Sequence, residues 1–252
     1  MNKFMKLAGV AALASAAFAG AANAEDREFA WSMTVGGTSD YIFRGFSQTA
    51  EDPAFQMSFD ATYGIFYAGV WGSNVDFDRA NGFNEKAEVD LYAGLTPTWG
   101  PVTFDLGVLY YWYPGFNDGV LGAEADYVEL KFGAKGTIAE KLALAGYVYW
   151  TPDNFGETGD VVTLEGSANY TLPEFWKFTP TIGGTVGTAL AENDIFGGGD
   201  SYVYWNAGLA LAIEKFTFDF RYWDTDLDDV TCGGTSFQCD ERFVFSVKAT
   251  LP

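Results

Sequence analysis

Phe216-Thr217-Phe218-Asp219-Phe220-Arg221-Tyr222 is the stretch on which the reading of the whole chain turns. Its even positions are all aromatic, and every residue between them is polar. Successive side chains of a β-strand point to opposite faces, so this strand has one oily face and one charged face. The same period of two returns at Val102-Thr103-Phe104-Asp105-Leu106, Ala87-Glu88-Val89-Asp90-Leu91 and Val128-Glu129-Leu130-Lys131-Phe132. Phe55-Gln56-Met57-Ser58-Phe59-Asp60 follows it, and Arg242 to Ala249 keeps it with one lapse at Val244.

The breaks between these runs alternate in length. Short ones fall near Tyr63-Gly64, Trp99-Gly100-Pro101, Gly136 to Glu140, Leu172-Pro173-Glu174 and Glu214-Lys215. Longer breaks rich in Gly, Asp and Asn fall near Thr49 to Pro53, Phe77 to Glu85 and Pro114 to Ala123. Three more lie near Pro152 to Asp160, Ala191 to Asp200 and Leu227 to Cys239. Tight turns on the periplasmic side and longer loops outside are the habit of outer-membrane barrels. Segments between breaks number about 12, each near the roughly 9–11 residues that a tilted strand needs to cross the hydrocarbon. The expected fold is therefore all-β: a transmembrane antiparallel up-and-down barrel of about 12 strands, within a range of roughly 10–14.

The N-terminus reads as an export signal. Lys3 and Lys6 precede an alanine-rich apolar run from Leu7 to Ala19, and Ala22-Asn23-Ala24 offers a small-x-small cleavage pattern. Cleavage is expected between Ala24 and Glu25, leaving 25–252 as one barrel domain. The run is too short for a spanning helix, which needs about 20 apolar residues. No later stretch is long and apolar enough either, yet aromatics form 18% of the chain. Such a surplus suits a surface that meets something apolar, and a closed barrel is the other structure able to span a bilayer. A soluble β-sandwich also alternates, but it has no reason to collect tryptophans at both ends of its strands. Here Trp71, Trp112, Trp150, Trp205 and Trp223 fall near the long breaks, and Trp31, Trp99 and Trp176 near the short ones. That is the expected belt of interfacial rings. Trp112, Trp150 and Trp205 have lipid-facing parity; Trp223 does not match Phe218 and Phe220, which leaves a bulge or an inward ring.

Charge excludes several functions. The chain has 34 acidic against 14 basic residues and no histidine. So acidic a protein is a poor nucleic-acid partner, because phosphate contact needs basic patches. Without imidazole there is no Ser–His or Asp–His catalytic pair. A carboxylate pair drawn from Asp105 and Asp219 could do acid/base work only if the two met in the lumen. Neither a cofactor nor a metal site is expected: two thiols without histidine make a poor zinc site. Cys232 and Cys239, in an exported chain, read as a local loop disulfide. Asp224-Thr225-Asp226-Leu227-Asp228-Asp229 spaces acids as calcium loops do, but lacks the glycine and the terminal glutamate. It reads as a solvated loop, with weak divalent-ion binding or contact with ion-bridged lipopolysaccharide as alternatives. Gly197-Gly198-Gly199 fits no phosphate-loop pattern.

Strand parity names an inward set: acids Asp60, Glu88, Asp90, Asp105, Glu129, Glu165 and Asp219, and bases Lys131, Arg221, Arg242 and Lys248. Asp105 is expected near Glu129 and Lys131, and Asp219 and Arg221 near Arg242. The acid excess tilts any pore toward cations, since carboxylate rings favour them. The same groups could instead fill a narrow barrel with ion pairs.

Ser39-Asp40-Tyr41-Ile42-Phe43-Arg44-Gly45-Phe46-Ser47-Gln48-Thr49 resembles the opening signature of the proteobacterial TorF-like family of outer-membrane porins, formerly a family of unknown function. Asp52-Pro53-Ala54 and Gly69-Val70-Trp71-Gly72-Ser73-Asn74-Val75 extend the likeness. The resemblance implies an outer-membrane barrel with a transport function and no catalytic residues to carry over. Its partners would be outer-membrane lipid and lipopolysaccharide, the barrel-assembly machinery, and small solutes or ions. Leu251-Pro252 departs from the terminal aromatic common in such barrels. Arg44 is expected at the end of the first strand, at the outer mouth or paired with a loop carboxylate. The function expected is passive diffusion of small solutes, against a closed structural or adhesive barrel, with a barrel hydrolase as a remote third.

Overall fold

The computed structural model of the protein describes residues 28–77, 85–116, 122, 124–196, 199–228, 232 and 238–252. The expected leader, its Ala24/Glu25 cut, Gly197-Gly198 and Asp229 lie outside them. Fifteen strands run along the described chain. They are β1 (Phe29–Thr38), β2 (Ile42–Phe43), β3 (Phe46–Ser47), β4 (Ala54–Tyr63) and β5 (Phe66–Asn74). Next come β6 (Ala87–Leu95), β7 (Thr98–Trp99), β8 (Val102–Trp112), β9 (Tyr127–Ile138) and β10 (Leu142–Thr151). The chain ends with β11 (Val161–Thr171), β12 (Thr179–Ala191), β13 (Ser201–Ile213), β14 (Phe216–Thr225) and β15 (Arg242–Leu251).

Twelve of these strands close a ring. Each pairs antiparallel with its neighbours along the sequence, and β1 pairs with β15 from Met33↔Leu251 to Thr38↔Ser246. β6 pairs directly with β8, while β7 folds back on β8 and stands outside the ring; β2 and β3 form a separate two-stranded hairpin. Closure removes the sheet edges whose unpaired backbone groups could not be tolerated in hydrocarbon. The five short connections sit at one end and the six long ones at the other. Two boundaries differ from the sequence reading. β9 runs through Ile138, so the turn after it is shorter than the Gly136 to Glu140 break. The first long loop begins at Ser39 rather than Thr49, because β1 stops at Thr38.

The alternation turns outward what a soluble protein would bury. Phe59, Val70, Leu91, Leu106, Val108, Leu130, Phe132, Leu164, Ile182 and Phe220 are all exposed. Each would gain about 1.5–3 kcal/mol in apolar surroundings, and a patch this size is far beyond what water tolerates. Trp31, Trp112 and Trp150 are exposed, and Trp99 and Trp176 almost fully so, at 82% and 77%. Trp223 points inward, 8% exposed, against Ile42 and Val244. The register of β14 with both neighbours is unbroken there, so no bulge is involved. Trp71 also turns inward and packs on Tyr41 at 5.2 Å.

Inside, tyrosines lie across glycines of the adjacent strand. Tyr67 is opposite Gly94, Tyr92 opposite Gly69, Tyr147 opposite Gly133 and Tyr204 opposite Gly187. A Cβ on Gly133 would stand 2.1 Å from Tyr147 Cδ1, so the missing side chain is what lets the ring lie on the wall.

Candidate functional site

Residues 39–53 connect β1 to β4, and they fold into the barrel instead of away from it. Asp40 is the knot. Its carboxylate accepts from Ser47 Oγ at 2.7 Å, Thr49 Oγ1 at 2.9 Å and Arg242 Nη1 of β15 at 3.0 Å. The β2–β3 hairpin projects from this knot, turning at Arg44 and Gly45, whose φ values are 49° and 90°. Hairpin turns of this hand need positive φ, which glycine meets freely. Space demands glycine at position 45 as well, since a Cβ there would meet Thr225 Cγ2 at 2.4 Å.

Arg44 at the tip reaches the far wall. Its Nη1 and Nη2 donate to Glu129 Oε2 and Oε1 of β9, both at 2.9 Å, the two-pronged geometry that suits guanidinium and carboxylate. Glu129 also accepts from Tyr111 Oη at 3.1 Å and Thr151 Oγ1 at 3.4 Å, and is 1% exposed. The Arg44 carbonyl accepts from Tyr202 Oη at 2.9 Å, and its guanidinium faces the rings of Phe43 and Tyr149 at 4.7 and 4.8 Å. Burial alone would lower the Arg44 pKa, but the Glu129 carboxylate outweighs it and holds the guanidinium firmly charged. Arg44 is thus neither on the first strand nor paired with a loop carboxylate: it is the tip of an inward hairpin, bound to the wall. Aromatic packing secures the rest, with Phe43 on Tyr111 at 5.9 Å and Phe46 on Tyr202 at 5.2 Å.

The strand charges fall into two levels. Toward the long loops lie Glu88, Asp90, Glu129 and Arg242. Glu88 Oε1 accepts from Tyr41 Oη at 3.2 Å, while Glu88 Oε2 and Asp90 Oδ1 meet no donor. Arg242 pairs with Asp40, and at 3.8 Å with Glu51, not with the Asp219 and Arg221 group expected from strand adjacency. The inward loop supplies a closer carboxylate. Toward the short turns, Lys131 Nζ meets Asp105 Oδ2 at 2.9 Å, and Tyr67 Oη donates to Asp105 at 2.8 Å. Glu129 faces Arg44 rather than this pair. Arg221 grips both oxygens of Asp219, at 3.0 and 2.9 Å, and donates to Asn206 Oδ1 at 2.6 Å. Asp60 accepts from Tyr92 Oη and Ser58 Oγ, and Glu165 from Tyr204 Oη at 2.8 Å.

Asp105 and Asp219 sit six strands apart around the ring, each held by its own base, so they do not form an acid/base pair. Among the described residues no group of three or more His, Cys, Asp or Glu is placed to hold a metal ion. In the acidic loop, Asp226 accepts from Val203 N and Asp224 from Tyr222 Oη, which directs these two carboxylates to the protein itself. Cys232 and Cys239 are joined as a disulfide with a Cα–Cα distance of 6.0 Å. Lys135, which shares the parity of Lys131, belongs to the inward set although the sequence reading passed over it. Parity alone could have found it. Asp40 could not have been found that way, since its role depends on the loop turning in.

The model of a family described as "Bacterial protein of unknown function (Gcw_chp)" matches residues 21–251. The chain belongs to this family. The TorF-like name suggested by residues 39–49 is not the description under which the match is made. No curated protein matches the sequence. Among solved structures, the Gcw_chp chain is similar to the KdgM porin in complex with disordered oligogalacturonate, at TM-score 0.56 and 9% identity. The alignment covers 88% of this chain and 99% of that one. It is also similar to the NanC porin, at TM-score 0.51 and 8% identity, over 88% of this chain and all of that one. At such identities the likeness concerns the fold: a closed antiparallel barrel of twelve strands.

Proposed function

We propose that this Gcw_chp barrel resides in the outer membrane as a porin and passes small polar solutes and ions through a lumen narrowed by residues 39–53. The observation carrying this reading is the Arg44–Glu129 bridge, which fixes a loop of the long-loop end across a charged, tyrosine-lined interior. The finer claim is a modest cation preference. Glu88, Asp90, Glu129 and Asp40 face Arg44 and Arg242 at the narrow level, and two of the acidic oxygens there meet no donor. Carboxylates in excess at a constriction favour cations. The KdgM porin was captured with oligogalacturonate; here the likeness supports small polar solutes as the class, with outer-membrane lipid, lipopolysaccharide and the barrel-assembly machinery as partners. The TorF-like porin resemblance of residues 39–49 points the same way.

A sealed structural or adhesive barrel is the second reading. It is favoured by the buried aromatic clusters of the outer half, such as Tyr111, Tyr113 and Tyr127 with Phe43, Phe77 and Phe155. Planar-bilayer recordings with a potassium chloride gradient separate the two. The porin reading predicts discrete current steps and a reversal potential on the cation side. Folded protein that carries no current overturns it, and an anion-side potential overturns the selectivity.

A further inference from the structure

We propose that the short-turn half of the lumen holds a binding site for organic dianions, built from Lys135 of β9 and Lys248 of β15 on opposite walls. Four of the inward bases are spoken for: Arg44 by Glu129, Lys131 by Asp105, Arg221 by Asp219 and Arg242 by Asp40. The ammonium groups of Lys135 and Lys248 make neither a hydrogen bond nor an ion pair among the described residues. Both residues are partly buried and stand on the inward parity of their strands.

The topology fixes their relation. β9 and β15 stand six strands apart in either direction around the ring of twelve, and each lysine lies three residues from its strand's short-turn end. Twelve strands spaced ~4.8 Å apart and tilted by ~40° enclose a backbone ring about 24 Å across. Two lysine stems of ~6 Å each then leave about 12 Å between the ammonium groups. A dicarboxylate with a four-carbon spacer, hydrogen-bonded at ~2.8 Å at each end, spans that gap.

This site rests on the two lysines and not on the barrel conducting from end to end. The test is calorimetric titration of adipate into the folded, detergent-solubilised barrel at low salt, with inorganic phosphate as a compact control anion. The wild type should bind adipate saturably and at least tenfold more tightly than phosphate. K135Q and K248Q should each weaken adipate, and the double variant should abolish it while keeping the unboiled gel mobility of an intact barrel. No adipate binding by the wild type overturns the proposal, as does equal binding by wild type and K135Q/K248Q. A barrel that binds adipate yet passes no current would leave this site standing and remove only the porin reading.

Discussion

Loss of the Arg44 side chain would strand Glu129 as a buried carboxylate without its cation. Breaking a buried pair from one side costs about 3–5 kcal/mol, more than removing both partners. R44A should therefore lower the urea unfolding midpoint in lipid vesicles by a corresponding amount, and R44A/E129Q should recover part of it. An R44A barrel as stable as the wild type would show that Tyr111 and Thr151 satisfy Glu129 unaided. Sequence alone gave no access to this partnership. Parity placed Glu129 on the inner face, but it carries no information about residues 39–53, whose direction depends on Asp40 gathering Ser47, Thr49 and Arg242. Trp223 teaches the reverse. Its parity already pointed inward, and only the general habit of interfacial tryptophan argued otherwise.

Strands were legible where turns were tight. Tyr63-Gly64 and Glu214-Lys215 mark hairpins to within a residue, since left-handed residues such as Gly64 at φ 61° and Glu214 at φ 52° confine the reversal. Long connections blurred, because nothing in a polar loop announces whether it leaves the barrel or enters it. Between strands, the tyrosine–glycine contacts make a sharp prediction. G133V would drive methyls into the Tyr147 ring, and overpacking of this kind costs about 1–3 kcal/mol. Urea titration should show that loss, and Y147A in the same chain should relieve it; an additive double variant would mean that the ring has room to move. The Cys232–Cys239 bridge lies in the connection between β14 and β15, where the Cys239 carbonyl accepts from Thr225 Oγ1 at 3.0 Å. Its reduction should leave the unboiled mobility of the barrel on detergent gels unchanged, and a shift to the boiled position would tie the loop to the wall.

For the molecule as a whole, the porin reading requires that one face of each strand of the ring meet hydrocarbon and the other an interior of ion pairs, loop and tyrosine. The cost of a misplaced charge should then follow depth. L130R, toward the middle of the outer face, should destabilise by about 2–4 kcal/mol, whereas W112R at the rim should cost about 0–1 kcal/mol. Equal costs, read from unfolding in vesicles, would deny the bilayer its place around the barrel. The most direct measurement is quenching of single-tryptophan variants in vesicles of brominated lipid. Tryptophan kept only at 112 or 150 should be strongly quenched by the acyl-chain bromines, and tryptophan kept only at 71 or 223 should be left bright. Uniform quenching of all four, or none at any, would contradict a barrel that shows its oily side chains to lipid and keeps its charges within.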